Sequence, residues 1–357
     1  MSLRVLHLPS SVGGHAWGLS RGEREIGITS DVLLRNNNWL NYPSDIDLQI
    51  NNSDNKLEKA YKMLKGFFKI YGKYDVYHFN FGSSLIDIPN WGINLLDVPF
   101  YGRDRKIVVT YNGCDARQKY ATIDKYDYSA CHRDGCYDGT CLNKKLEDNK
   151  KERIAKFAKY ANCMLAVNPD LLSFLPKSAV FFPYAISGWN NIEKIGVRPR
   201  KEFHIVHAPT NRICKGSDYV IEACKRVKEK YHDYVKISLV EKIPNEEALK
   251  IYADADLIID QVLIGWYGGF AVEALKMGKP VMCFIRKSDL QYIPRIMADE
   301  CEDAIINVDK DSIFDKICEL IENRDELIRY ADRGWEYVNN WHDPIKLAHK
   351  MNEYYQS

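Results

Sequence analysis

The chain has 357 residues, 46% of them hydrophobic and 28% charged, and a formal net charge of +1. That length favours two domains, because single cores seldom grow past about 250–300 residues. The near-neutral balance argues against whole-chain attraction to nucleic acid or membrane and leaves room only for a local patch, and the composition is that of an ordinary globular protein without repeats or low-complexity tracts.

Residues 3–8 (LRVLHL) form a short apolar run closed by Pro-Ser-Ser and then Gly13-Gly14, the pattern of a buried strand and a tight turn. A helix follows, and 31–35 makes a second strand. The stretch 56–70 places Leu57, Ala60, Tyr61, Leu64, Phe67 and Phe68 at helical spacing. Strand-like runs follow at 75–81 and 106–111. Beyond a Cys-rich segment, a charged helix over 144–160 leads into a strand at 163–167. Turn formers without a clean period fill 183–199, and then the pattern restarts. Strands are expected at 204–208, 235–240, 257–260 and 281–285, with helices at 216–231, 246–253 and 269–277. Further helices lie between 325 and 355, where Asp343 caps and Pro344 starts the final one.

Strands alternating with helices predict an α/β protein built from two doubly wound parallel sheets. The expected division is a first domain over 1–185 with a Cys-rich insertion at about 114–142, a linker over 186–200, and a second domain over 201–338. A C-terminal helix over 339–357 is expected to pack back on the first domain. Ligands of such sheets bind outside the carboxyl ends of the strands, in a cleft between facing halves.

The opening apolar stretch, broken by Arg4 and His7, is too short for a signal peptide, and no uncharged apolar run reaches the ~20 residues of a membrane span. The expectation is a cytoplasmic protein whose ten cysteines are reduced thiols or metal ligands. Cys163, Cys214, Cys224, Cys283, Cys301 and Cys318 stand apart and read as small buried hydrophobes. Cys131, Cys136 and Cys141 are evenly spaced, with Cys114 upstream. Four thiolates suit tetrahedral structural zinc; free thiols or a transient disulfide are the other readings.

The segment 265–284 (GWYGGFAVEALKMGKPVMCF) carries the chemistry most clearly. Gly268-Gly269 opens a helix whose free N–H groups and dipole suit a phosphate or sugar hydroxyls. Glu273, about one turn on, could accept hydrogen bonds from ribose hydroxyls; a surface ion pair with Lys276 or Lys279 is the plainer alternative. This segment resembles the donor-site signature of family 4 glycosyltransferases, which have the GT-B fold of two Rossmann-like domains. The family's usual pattern has two glutamates with seven residues between them, and Gly265 stands at the first position, so the sequence resembles an atypical subgroup. Tyr267 and Asp260 are the nearest groups that could compensate.

Residues 207–223 (HAPTNRICKGSDYVIEA) resemble the family segment in which a strand ends, a basic loop follows and Lys-Gly begins a helix. By that resemblance Arg212 and Lys215 clamp the donor diphosphate and stabilise the charge that grows as the sugar–phosphate bond breaks. The loop at 241–244, led by Glu241, lies against the base, while Tyr267, Gly268, Gly269, Phe270 and Glu273 complete the donor side. In the first half, Gly13 and Gly14 resemble the glycine-rich loop that faces the diphosphate. Asn112, Asp115 and Arg117 sit where the family commonly has a strand followed by His-Gly-Ser-Asp, with Asn112 in place of the histidine. Asn112 and Asp115 join Arg212 and Lys215 as catalytic candidates. His15, His78, Asn112 and Arg117 are the acceptor-side candidates, His78 being equally readable as a core histidine.

The resemblance implies a retaining, metal-independent hexosyltransferase that needs no cofactor for catalysis and serves polysaccharide biosynthesis. Its partners would be a UDP- or GDP-sugar donor and a saccharide or lipid-linked acceptor. The basic helix at 144–159 offers peripheral contact with the inner face of a membrane; a solvated charged face is the alternative. An epimerase or hydrolase of nucleotide sugars, or a non-catalytic nucleotide-sugar-binding protein, are the rival functions.

Overall fold

The computed structural model describes residues 2–37, 41–102, 105–198 and 201–357. The expected linker over 186–200 therefore ends in two residues, 199 and 200, that lie outside the described ones. In chain order the first elements are β1 (Arg4–Leu8), α1 (His15–Glu25), β2 (Thr29–Leu34), β3 (Ile46–Asp47), α2 (Lys56–Ile70), β4 (Val76–Asn80), α3 (Val98–Tyr101) and β5 (Lys106–Tyr111). Then come α4 (Lys119–Lys125), α5 (Lys144–Tyr160), β6 (Cys163–Ala166), β7 (Val180–Phe181), β8 (Phe203–His207), α6 (Arg212–Lys215), α7 (Ser217–Tyr231), β9 (Val235–Leu239) and α8 (Asn245–Ala253). The last are β10 (Leu257–Ile259), α9 (Gly269–Lys276), β11 (Val281–Cys283), α10 (Arg295–Ala304), β12 (Ile305–Asn307), α11 (Ile313–Glu322), α12 (Arg324–Trp341) and α13 (Pro344–Gln356).

The chain divides into two compact units, the first of Met1–Gln118, Cys141–Ser187 and Asp343–Ser357, the second of Lys119–Thr140 and Gly188–His342. The first holds a seven-stranded sheet in the order β3-β2-β1-β4-β5-β6-β7, the second a five-stranded sheet in the order β12-β11-β10-β8-β9. Every strand pair is parallel. Both sheets are Rossmann-like. All residues of β4 and β8 are buried, as expected of strands covered by helices on both faces. Leu6, Phe79, Val109 and Phe157 belong to the core of the first unit, and Ile205, Val227, Ile259 and Ile317 to that of the second.

Helix α13 belongs to the first unit. The Asp343 carboxylate accepts from the Ile345 N–H at 2.8 Å and Pro344 occupies the first turn, so the helix is capped as its sequence dictates. Leu347, Met351 and Tyr355 pack with Val5 and Leu19. The fit against α1 is close: a Cβ on Gly22 would lie 2.0 Å from the Pro344 carbonyl oxygen.

One sequence expectation changes. The Cys-rich stretch is not an insertion of the first unit alone, since Lys119–Thr140 belongs to the second. The Ala130 N–H donates to the Leu263 carbonyl at 3.1 Å, the Tyr128 hydroxyl to Val262 O at 2.5 Å and the Tyr126 hydroxyl to Asp289 at 2.7 Å. Backbone pairing and the hydroxyls of buried Tyr126 and half-buried Tyr128 tie this stretch to the second unit. The helix expected over 56–70 is present as α2, but of its apolar residues Met63, Gly66 and Ile70 are buried, whereas Leu57, Tyr61, Leu64 and Phe68 are exposed. No helix among the described residues is long and apolar enough to cross a membrane.

Candidate functional site

In the second sheet β8 lies between β9 and β10, so the chain leaves the first strand in one direction and the third in the other. Such a switch point opens a crevice at the carboxyl ends of the two central strands. Lys215 follows β8, and Asp260 and Gly268 follow β10. The Lys215 ammonium lies 2.6 Å from Asp260 Oδ1, and Asp260 Oδ2 accepts from the Gly268 N–H at 2.8 Å. A Cβ on Gly268 would stand 3.4 Å from Lys215 Nζ, which puts the cation at the start of α9. Burial alone would lower the ammonium's pKa, but the Asp260 charge overrides it and holds Lys215 above its ordinary value. His207, at the end of β8, accepts and donates inside the same region, Nδ1 meeting Ile259 O at 2.8 Å and Nε2 meeting Ser217 Oγ at 2.7 Å. Burial pulls its pKa down to about 4, so it is a neutral framework residue.

Gly269 and Phe270 begin α9, whose first N–H groups have no partner within the helix. Glu273 lies on this helix and is 3% exposed; its Oε1 accepts from the Asn245 amide at 2.9 Å. Burial pushes its carboxyl up to about 7, against the lowering effect of that hydrogen bond. The expected alternative partners point elsewhere: Lys276 donates to Asn339 at 2.7 Å and Lys279 to Gly196 O at 2.8 Å. Phe270 packs on the Tyr252 ring of α8 at 4.6 Å. Arg212 makes a two-pronged contact with Glu241, at 2.8 and 2.5 Å, which depresses the Glu241 pKa. The loops after β8, β9 and β10 thus bring Lys215, Asp260, Gly268 and the α9 start together, with Glu273 and Asn245 beside them.

Gly265 takes φ +93°, a left-handed conformation that favours glycine, and a Cβ there would lie 2.4 Å from the Arg286 guanidinium. Against this turn the chain seats the Arg286 guanidinium, held by Asp289 at 3.1 Å, by Ile264 O and Tyr128 O, and over the Tyr126 ring at 4.0 Å. Tyr267 does not compensate. It is 2% exposed, and its hydroxyl meets Tyr337 at 2.5 Å and His342 at 2.8 Å within the second unit's core. Asp260 is the expected compensating carboxylate that does face Lys215. Sequence reasoning missed Asn245 and Arg286 altogether. Asn245 carried a visible signal, directly after a proline at a helix start, whereas Arg286 had none, because its place follows from a loop folding back onto Gly265.

The first unit repeats the switch-point logic between β1 and β4. Gly13 and Gly14 take φ +59° and +76°, and their Cβ positions would collide with Tyr184 and Ser187, so both glycines serve the close packing of this turn. His15 is 1% exposed and its Nδ1 accepts from the Ala185 N–H at 3.0 Å. Asn112 stands at the end of β5, its Oδ1 accepting from the Phe81 N–H at 3.2 Å while its Nδ2 has no partner among the described residues. The buried Tyr111 hydroxyl, Asn80 Oδ1 and Ser11 Oγ are likewise without partners at the carboxyl ends of β5, β4 and β1. Asp115 accepts from the backbone of Asn112 and of Gly113, the latter at 2.6 Å, so it shapes the turn that presents Asn112; burial raises its pKa. Arg117 is corrected from an acceptor-side residue to a buried structural one, paired with Asp170 at 2.6 and 3.0 Å. For His78 the structure fits the core reading of the two offered: it is fully buried, with Nδ1 on the Tyr355 hydroxyl at 2.8 Å and Nε2 on Thr110 at 2.7 Å.

The four cysteines weighed as zinc ligands form no disulfide and are of intermediate exposure, Cys114 and Cys141 in the first unit and Cys131 and Cys136 in the second. Among the described residues the one trio of metal-ligating side chains with ligand atoms within 4.8 Å is His7, Glu23 and His78. That trio is already spent on hydrogen bonds: His7 meets Glu23 at 2.9 Å, Ser30 donates to Glu23 at 2.6 Å, and the Tyr355 hydroxyl donates to it at 2.8 Å.

Neither a family model nor a curated protein matches this sequence. Solved structures do. Sucrose-phosphate synthase (tll1590) from Thermosynechococcus elongatus is 15% identical, with a TM-score of 0.64 over 100% of this chain and 98% of that one. Anabaena Alr3699/HepE, solved with UDP and glucose, is 11% identical, with a TM-score of 0.64 over 100% of both chains. TarM from S. aureus, solved with Fondaparinux, alpha-GlcNAc-glycerol and UDP, is 16% identical, with a TM-score of 0.54 over 83% of this chain and 58% of that one. At such identities the likeness speaks to architecture, and together with the two all-parallel sheets it establishes that this chain has the GT-B fold.

Proposed function

We propose that the chain is a glycosyltransferase whose second unit binds a nucleotide-diphosphate sugar and whose first unit holds a saccharide or lipid-linked acceptor. The observation that carries this reading is the Lys215 ammonium, set between Asp260 and the amino-terminal end of α9 at the switch point of the second sheet. A diphosphate arriving there meets a cation and the unpaired N–H groups of a helix start. Glu273, steadied by Asn245, offers its carboxylate to the ribose hydroxyls, and the loop with Glu241 takes the base. HepE and TarM, which share the fold, bind UDP, and this supports UDP over GDP as the first donor to test.

In the proposed reaction the bond between the anomeric carbon and the phosphate oxygen breaks as the acceptor oxygen bonds to that carbon. The acceptor proton passes to the departing phosphate oxygen, which retains configuration and requires no metal. Lys215 and the α9 N–H groups stabilise the diphosphate charge that grows in this step. On the acceptor side, the unpartnered Asn112 amide is the donor best placed to orient a hydroxyl. The test is incubation with UDP-sugars and an acceptor panel. Transfer product with retained configuration supports the reading. Free sugar or isomerised donor formed without acceptor would replace it with a hydrolase or epimerase, and tight UDP-sugar binding without any product would make the chain a binding protein.

A further inference from the structure

We propose that the outward stripe of α2 docks the protein on an anionic membrane surface. Leu57, Tyr61, Leu64 and Phe68 recur at i, i+4, i+7 and i+11, which is one face of a helix. That face is turned to solvent: Leu57 is 83% exposed, Phe68 70% and Tyr61 63%. Packing does not require it, because the same helix buries Met63, Gly66 and Ile70 on its other side. The patch continues beyond α2. Phe100, itself exposed, meets Phe67 at 6.1 Å, and exposed Trp91 lies 5.2 Å under the Lys56 ammonium. Exposed Tyr71 extends the stripe past the helix end. A contiguous apolar patch of this kind marks an interaction site.

Charge selects the partner. Helix α2 carries five lysines against a single glutamate, Glu58, and that acid is already paired with Lys62. Lys56, Lys65 and Lys69 are exposed on the flanks of the stripe, and Lys73 follows in the next turn. Leucine and phenylalanine bordered by tyrosine, tryptophan and lysine is the composition that enters the headgroup boundary of an anionic bilayer, apolar groups inward and ammonium groups on the phosphates. Helix α5, the basic helix expected to make such contact, lacks the apolar part. It buries Ile154 and Phe157, and shows Asp148, Lys151, Glu152 and Lys159 to solvent.

The experiment is flotation of the full chain with vesicles of phosphatidylcholine alone or mixed with phosphatidylglycerol. The protein should float only with the mixed vesicles and be released by high salt. Leu57→Ser with Phe68→Ser should lower the partition coefficient at least tenfold, since each removes an apolar side chain from the inserted face. Lys65→Glu with Lys69→Glu should lower it as well, whereas Lys151→Glu with Lys159→Glu on α5 should not. All these positions are exposed, so unchanged melting temperatures will show intact folds. UDP titration of the α2 variants separates this proposal from the nucleotide-sugar reading, because it should match the unaltered chain. Absence of flotation on both vesicle types overturns the proposal. So does equal loss in the α5 variant, or a dimer in solution that Phe68→Ser dissolves while vesicles bind nothing.

Discussion

At Lys215 two demands meet in one side chain. In the ligand-free protein its charge offsets that of Asp260, which is fully buried. Removing the cation alone strands a buried carboxylate, so Lys215→Ala should cost about 3–5 kcal/mol of stability, read as a lowered melting temperature. Lys215→Met combined with Asp260→Asn removes both charges and leaves an acceptor for the Gly268 N–H; its melting temperature should return close to that of the unaltered chain. Glu273 gives a pH signature. Its folded pKa, raised by burial to about 7, exceeds its unfolded value, so the folded state holds the proton more tightly. The stability this gives is complete below the unfolded pKa and is lost as pH rises through about 7. Glu273→Gln should therefore raise the ligand-free melting temperature at pH 8 and change it little at pH 4. Ribose binding by a carboxylate runs the other way: UDP affinity should weaken as pH falls below about 7, and this dependence should flatten in Glu273→Gln.

Among the elements, helix and strand positions were largely legible because their cues are local. The spans 56–70, 106–111 and 144–160 coincide with α2, β5 and α5. The two-residue strands β3 and β7 carried no such cue; two residues cannot show a period, and they exist because longer neighbours pair with them. Which face of α2 packs was also illegible, since the helix has a stronger apolar stripe outside than inside. The backbone of the candidate site could be read from Lys215-Gly216 and Gly268-Gly269. Asn245 beside Glu273 and Arg286 against Gly265 depend on tertiary folding, and the buried fates of Tyr267 and Arg117 were hidden for the same reason. Two glycines make this testable. Gly265→Ala must hold a left-handed φ, costing about 1–2 kcal/mol, and must also displace Arg286, so a clearly lowered melting temperature is expected. Gly22→Ala drives a methyl group into Pro344, and hydrogen exchange over 344–356 should accelerate as α13 loosens from α1.

For the molecule as a whole, the sequence resemblance, the sheet orders and the solved structures agree on GT-B, although identities of 11–16% leave almost nothing else shared. Function therefore rests on the site and not on the likeness. The most direct measurement is calorimetric titration of UDP into the full chain and into the Lys215→Met, Asp260→Asn variant. Saturable binding at one site per chain, weakened roughly 10- to 100-fold in the variant, is the predicted result, because a charge-assisted contact is worth about 1.5–3 kcal/mol. No binding to the unaltered chain, or equal affinity in a folded variant, would contradict the assignment of Lys215 to a diphosphate.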